Sequence, residues 1–204
     1  MLKLTNMPKL LFILFSVVLT SPIYLPINNP DRKDVSQIQL TAIGQFGIMR
    51  KARPNIPAHY HTGIDIKRPG SNYDSEPIFP IAKGVVISKR TDGPYANLMI
   101  EHEIHGTKFW SLYEHIAGIC VNTGDTVGHL SPIARFMTKA ELKKYGWQFD
   151  HFHLEILKVK PMQLKTSKSY PERFYNSYSL VCYTQKDLEK YYYNPLDFLR
   201  NPTL

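Results

Sequence analysis

From Tyr60 onward the chain is a succession of short β-prone runs, and the residues between them limit what it can fold into. The runs cover residues 60–66, 84–88, 96–102, 108–115 and 152–159, with Gly, Pro, Asn and Asp between them. Runs of strand length, closely punctuated by turn residues, predict antiparallel sheets of sandwich or barrel type. No strand–helix alternation supports a doubly wound parallel sheet. The expected class is all-β dominated, an antiparallel β-sandwich-like domain with short helical insertions. A chain of 204 residues with 43% hydrophobic content fills one well-packed domain and leaves little for a second.

Local signals refine this outline. Residues 37–43 alternate partially and predict a first strand, followed by a turn at Gln45-Phe46-Gly47. Residues 50–58 are basic and Pro-rich, which predicts a loop. Thr138 with Glu141 three residues later forms a capping-box pattern, and Gly146 is a suitable stop, so a helical insertion is expected over 137–147. A second short helix is expected over 186–192, before Pro195.

The N-terminus reads separately. Lys3 and Lys9 precede an apolar run at 10–19, the pattern of a secretory signal. The run is shorter than the roughly 20 apolar residues of a membrane span. Residues 1–21 are therefore a cleaved signal, an uncleaved anchor, or a buried arm, and membrane contact is expected only if they stay attached. Residues 22–36, rich in Pro, Asn and Asp, read as a linker to the domain at 37–204. Export to the periplasm or cell envelope follows from the signal reading. An oxidising compartment permits a disulfide between Cys120 and Cys182, the only cysteines, with two free thiols as the alternative. The net charge is +8, or +6 once Lys3 and Lys9 are set aside. That suits an anionic cell envelope as partner. No finger, helix-turn-helix or basic block points to nucleic acid.

Chemistry concentrates in two segments, H-T-G-I-D at 61–65 and H-F-H at 151–153. Side chains on a strand alternate faces. If both segments are extended, His61 and Asp65 share one face around Gly63, and His151 and His153 share another. Two such strands side by side present three imidazoles and a carboxylate to one point. Zinc accepts such N and O ligands in a tetrahedron, and a catalytic site keeps one position open. Glu155 lies on the same face and either orients a histidine from behind or is an exposed carboxylate. His59, His102, His105 and His129 read as surface or loop residues, with a place in the metal shell as the alternative for His59. A helical H-E-x-x-H is absent.

Read together, these motifs resemble the lysostaphin-type (LytM-like) zinc endopeptidases of the bacterial cell wall. The family pattern is H-x-x-x-D, a later Y-x-H and a final H-x-H. Here these are His61 to Asp65, Tyr113-Glu114-His115, and His151-Phe152-His153, in that order. Residues 80–86 (PIAKGVV), 96–102 and 121–127 (VNTGDTV) resemble the framework between the motifs, and Asn194-Pro195-Leu196 resembles the family's C-terminal close. The resemblance implies Zn2+ held by His61, Asp65 and His153, with His115 and His151 as catalytic histidines that handle the attacking water. It implies peptidoglycan peptides as substrate, with Asn97 and Tyr113 as candidate substrate contacts.

The chain also departs from the pattern. Leu130 stands where the family usually has glycine, and residues 135–150 replace a short Gly, Ser and Thr-rich loop. Residues 160–204 include a segment longer than a minimal domain needs. Tyr145, Trp147 and Phe149 either line the cleft or pack the insertion against the core. Two other functions are compatible with relatives of this type. One is a non-catalytic wall-binding or amidase-activating module, whose members typically lose metal ligands. The other is a D-Ala-D-Ala carboxypeptidase, which uses a longer His-to-Asp spacing than the one between His61 and Asp65.

Overall fold

The structure is a computed structural model and describes residues 23–202. Its centre is a seven-stranded antiparallel sheet. Three long strands form its middle: β5 (Gly84–Arg90), β6 (Asn97–Ile104) and β7 (Thr107–Glu114). The expected run at 60–66 splits into β2 (His59–Tyr60) and β3 (Ile64–Lys67), and the run at 152–159 becomes β10 (His151–Leu157). β10 pairs with β7 on one side. On its other side its first half pairs with β3, and its end pairs with β13 (Tyr192–Tyr193). The short β8 (Thr126–Val127) closes the far edge against β5. Three two-stranded ribbons accompany the sheet: β1 (Met49–Arg50) with β2, β4 (Pro77–Ile78) with β9 (Ala134–Arg135), and β11 (Met162–Gln163) with β12 (Tyr175–Asn176). The strand-dominated antiparallel class expected from the sequence is the one observed.

The two faces of the sheet carry different cores. Ile64, Ile66, Leu98, Ile100, Tyr113, Phe152, Leu154 and Ile156 point to one side, where the β4–β9 ribbon supplies Ile78 and Ala134 as a second layer. The other face is divided. One half carries polar residues, and the other carries Met99, Trp110, Leu112 and Leu157. The long C-terminal segment covers that apolar half with Cys182, with Leu188 of helix α2 (Gln185–Tyr191) and with Tyr192. Burying each such side chain stabilises the fold by about 1.5–3 kcal/mol. The length of residues 160–193 thus has a packing explanation. A last helix, α3 (Pro195–Arg200), is capped by Asn194 and returns Phe198 and Leu199 to the first core.

The capping box forms as its pattern predicts. Thr138 accepts from the Glu141 backbone N–H, and Glu141 returns a bond to Thr138, starting helix α1 (Lys139–Tyr145). Such a cap is worth about 1 kcal/mol.

Several expectations are corrected. Residues 37–43 are not a strand: a 3-10 turn at Val35–Gln37 leads to a single bridge between Leu40 and Ile66. The supposed linker at 22–36 enters the core at its start, residues 23–27, while most of 28–36 is exposed. Ile23, Leu25 and Ile27 alternate inward and are nearly inaccessible, and the buried Arg32 guanidinium bonds the carbonyls of Leu25, Pro80 and His129. Prolines and asparagines hid a period-two apolar pattern. Cys120 is exposed and Cys182 is buried in the second cluster, and both are free thiols. The signal reading of 1–21 lies outside the described residues, among which no helix is long and apolar enough to cross a membrane.

His59 and His102 are buried rather than exposed. The His102 ring donates to the Lys83 carbonyl at 2.9 Å, accepts from the Ser111 hydroxyl at 2.7 Å, and stacks on Phe109. Burial lowers its pKa from 6.5 to about 4. The folded state therefore binds fewer protons than the unfolded chain in this window, so stability falls as pH falls from 6.5 toward 4. The loss from this one group is about 3 kcal/mol. Denaturant unfolding across that range should show the loss. His102→Gln, which keeps a donor and an acceptor but does not titrate, should lessen the loss by about 3 kcal/mol relative to wild type, and a loss as large as the wild type's in a folded variant would remove His102 as a contributor.

Candidate metal centre

The residues between β2 and β3 bring the first two donors together. His61 does not lie on a continuous strand. Its backbone is held by its carbonyl accepting from Gly47 N–H and its own N–H donating to the Ile48 carbonyl. Its Nδ1–H donates to the Gln45 carbonyl at 2.8 Å, which leaves the Nε2 lone pair free. The turn at Gln45-Phe46-Gly47 thus orients the His61 ring. Gly63 is required by proximity: a Cβ there would collide with the Leu154 carbonyl oxygen and the His153 ring. The Asp65 backbone is locked by bonds with Thr41 and Gly44.

Sheet register supplies the rest. Asp65 lies opposite His153, His153 opposite Glu114, and Glu114 opposite Asn97. One row of side chains therefore crosses four strands on one face. Two residues along, Lys67 lies opposite His151 on the same face.

The three donor atoms converge. His61 Nε2 lies 3.0 Å from Asp65 Oδ1 and 3.0 Å from His153 Nδ1, and His153 Nδ1 lies 2.9 Å from Asp65 Oδ1. All three residues are buried. His153 Nε2 faces Glu155 Oε1 at 3.1 Å, and Glu155 also accepts from the Thr62 hydroxyl at 2.5 Å. With the outer nitrogens donating to Gln45 and Glu155, two nitrogen lone pairs and a carboxylate oxygen point at one another. Such a set needs a cation between its members. Zinc fits: ligands at its usual distances stand roughly 3.3 Å apart in a tetrahedron, and histidine ligands typically donate their second N–H to a carbonyl or carboxylate.

Protonation states agree with a cation-seeking site. Burial disfavours charge on His153, yet the carboxylates of Asp65 and Glu155 on its two nitrogens raise its pKa to about 10. Without a metal, a proton therefore takes the cation's part. Burial also opposes ionisation of Asp65 and Glu155, but hydrogen bonds from the histidines and Thr62 prevail and lower both. Burial lowers His61 and keeps that ring neutral.

His115 and His151 flank the donors by different routes. His151 Nε2 is 3.8 Å from Asp65 Oδ1, and burial lowers its pKa to about 4. Strand alternation from Tyr113 would send His115 into the main core, since β7 ends at Glu114. A left-handed backbone at His115 (φ 63°) turns its ring back to the polar face. There its Nδ1–H donates to the Pro94 carbonyl at 2.6 Å, and its ring sits 5.2 Å from that of His151. Burial lowers its pKa as well.

Of the two candidate substrate contacts, Asn97 lies on the polar face and donates to the Tyr95 carbonyl and to Glu114. Tyr113 points the opposite way. It is fully buried, and its hydroxyl accepts from the Ile81 N–H. Packing leaves it inaccessible to a peptide.

Sequence reasoning missed Arg50. Its Nη2 donates to Asp65 Oδ2 at 2.7 Å, so the second carboxylate oxygen is held while Oδ1 faces the imidazoles. Only the basic character of 50–58 signalled it, and nothing local marked Arg50 rather than Lys51 or Arg53. In the insertion, Leu142 is buried, Phe149 packs beside the His115 and Tyr95 rings, and Trp147 stays 57% exposed.

Residues 59–165 match the model described as Peptidase family M23. No curated protein matches. Similar solved structures include a zinc containing peptidase from Vibrio cholerae, at 23% identity and TM-score 0.44, covering 66% of this chain and 36% of that one. Lysostaphin matches at 14% identity and TM-score 0.47, covering 83% and 53%. LytU matches at 22% identity and TM-score 0.41, covering 61% and 74%. The chain thus spans little more than a third of the first structure's length and about half of the second's.

Zinc binding to the metal-free protein should release about one proton at neutral pH, because His153 is protonated there and zinc requires it neutral. Affinity should rise about tenfold per pH unit between roughly 7 and 9, with the release read by calorimetry in buffers of different ionisation enthalpy. Glu155→Gln should weaken zinc about 10–100-fold with the fold intact. A pH-independent affinity would remove His153 as a ligand.

Proposed function

The chain belongs to peptidase family M23, and from that premise we propose that it is a zinc endopeptidase that hydrolyses peptide bonds in peptidoglycan cross-links. The observation that carries this reading is the convergence of donor atoms from His61, Asp65 and His153 on one point, with two neutral histidines beside them. A non-catalytic module needs no such convergence. The D-Ala-D-Ala carboxypeptidase reading is disfavoured by the spacing of four between His61 and Asp65. The basic balance of the chain suits an exported protein working on an anionic envelope.

His61, Asp65 and His153 would hold the ion. When bound, zinc supplies a Lewis acid that polarises the peptide carbonyl and makes water a nucleophile at neutral pH. The chain's own residues do the remaining work. His115 has its tautomer set by the Pro94 carbonyl, so its Nε2 is an acceptor. We assign it the general base that takes the proton of the attacking water. Among the described residues the His151 ring makes no hydrogen bond, so it is free to present an N–H to the developing oxyanion. Glu155 and Thr62 hold the His153 ring in place, and Arg50 holds the Asp65 carboxylate.

Purified sacculi digested with and without chelator provide the test, with products identified by mass spectrometry. Soluble cross-link fragments should appear only without chelator. Asp65→Ala and His153→Ala should abolish both bound zinc and cleavage. His115→Ala and His151→Ala should retain zinc and lose about 10²–10³-fold in kcat. Cleavage persisting in Asp65→Ala, or end-trimmed products alone, would defeat the reading.

A further inference from the structure

Beside the metal centre the insertion and β3 enclose a cavity of about 390 Å³, whose lining includes Lys67, Arg68, Tyr73, Trp147, Asp150 and His151. Its floor is a closed polar network. The Arg68 guanidinium donates to Asp150 Oδ1 at 2.9 and 3.1 Å, to the Asn72 carbonyl and to the Met137 carbonyl, and it stacks on Tyr73. Tyr73 donates its hydroxyl to Asp150 Oδ2 at 2.9 Å. Arg68 and Asp150 therefore compensate each other, and both carboxylate oxygens are engaged. Tyr73 meets Trp147 edge-on at 6.1 Å, which holds an exposed indole as a wall.

Lys67 remains. Among the described residues its ammonium has no ion pair or hydrogen bond, and the side chain is exposed at the cavity. It stands two residues after Asp65 on β3, directly opposite His151, so it shares the face of the metal row. A strand advances about 3.3 Å per residue, which places Lys67 about 7 Å along from Asp65. That is one to two residues along an extended peptide lying on this face.

The geometry points to Lys67 and Trp147 as a specificity subsite for a substrate residue bearing a free carboxylate, one or two positions from the bond that is cut. The cavity carries one uncompensated positive charge and one aromatic wall. A carboxylate pairs with the ammonium, and its aliphatic stem packs on the indole. A neutral glycine segment satisfies neither group. This inference rests on the peptidase reading for its link to cleavage, but the binding it describes is separable from catalysis.

The test has a binding arm and a cleavage arm. A linear stem peptide with its carboxylates free, and the same peptide with them converted to carboxamides, are titrated against the zinc-loaded protein by tryptophan fluorescence. Trp147 is the exposed indole and Trp110 is buried, so Trp147→Phe identifies the signal. The carboxylate form should bind at least tenfold more tightly than the carboxamide. Lys67→Ala should abolish that preference, and Lys67→Arg should restore it, with zinc content unchanged throughout. In the cleavage arm, cross-linked muropeptides of both forms should show the same preference in KM with little change in kcat. Equal binding of the two forms by wild type, or an equal loss on both in Lys67→Ala, overturns the inference. Carboxylate-selective binding that depends on Lys67 without any cleavage would uphold it and sink the peptidase reading instead.

Discussion

The register between β3 and β10 is the constraint on which the site depends. Asp65 faces His153 across this pair, and Ile64 faces Leu154 on the opposite side. A slip of one residue would send the donor side chains into the aliphatic core and the isoleucine to the polar face. The buried Ile64, Ile66, Phe152 and Leu154 therefore do more than stabilise the domain. Their preference for the core face decides which side chains converge at the candidate metal centre. Gly63 adds a second control, because only a residue without a side chain lets β10 approach so closely. The chemistry is thus specified by apolar packing and one close backbone contact.

Electrostatics complete what register begins. The donor triangle is buried, and burial alone would neutralise its carboxylate. Instead, Arg50 engages one oxygen of Asp65 and the two imidazoles engage the other. Glu155 repeats the pattern behind His153. The arrangement is stable as a set and poor as single groups, since removing any partner leaves a buried charge exposed to the low-dielectric interior.

Much of this was legible in the sequence, and the failures are informative. The long strands, the capping box and the His–Asp–His constellation follow from local rules: alternation, cap chemistry and ligand type. His115 is on the correct face for a reason alternation cannot supply, because it lies just beyond β7 in a left-handed conformation. Tyr113 belongs to the same motif and points the other way. Ile23, Leu25 and Ile27 were obscured by neighbouring prolines and asparagines, since composition outweighed periodicity there. Arg50 and His102 depend on distant partners, Asp65 and the Lys83 and Ser111 pair, that no window of sequence brings together.

The C-terminal cover has a consequence for how the protein matures. His61 and His153 are 92 positions apart, and Glu155 meets Ser177, Cys182 and Tyr192 only once residues 160–193 have folded over the sheet. A chain emerging from its N-terminus exposes His61 and Asp65 long before the third donor exists. The dry environment that gives Glu155 its hold on His153 arises later still, with Tyr192. The complete donor geometry is therefore among the last features the polypeptide acquires during synthesis, and a partly made chain lacks it.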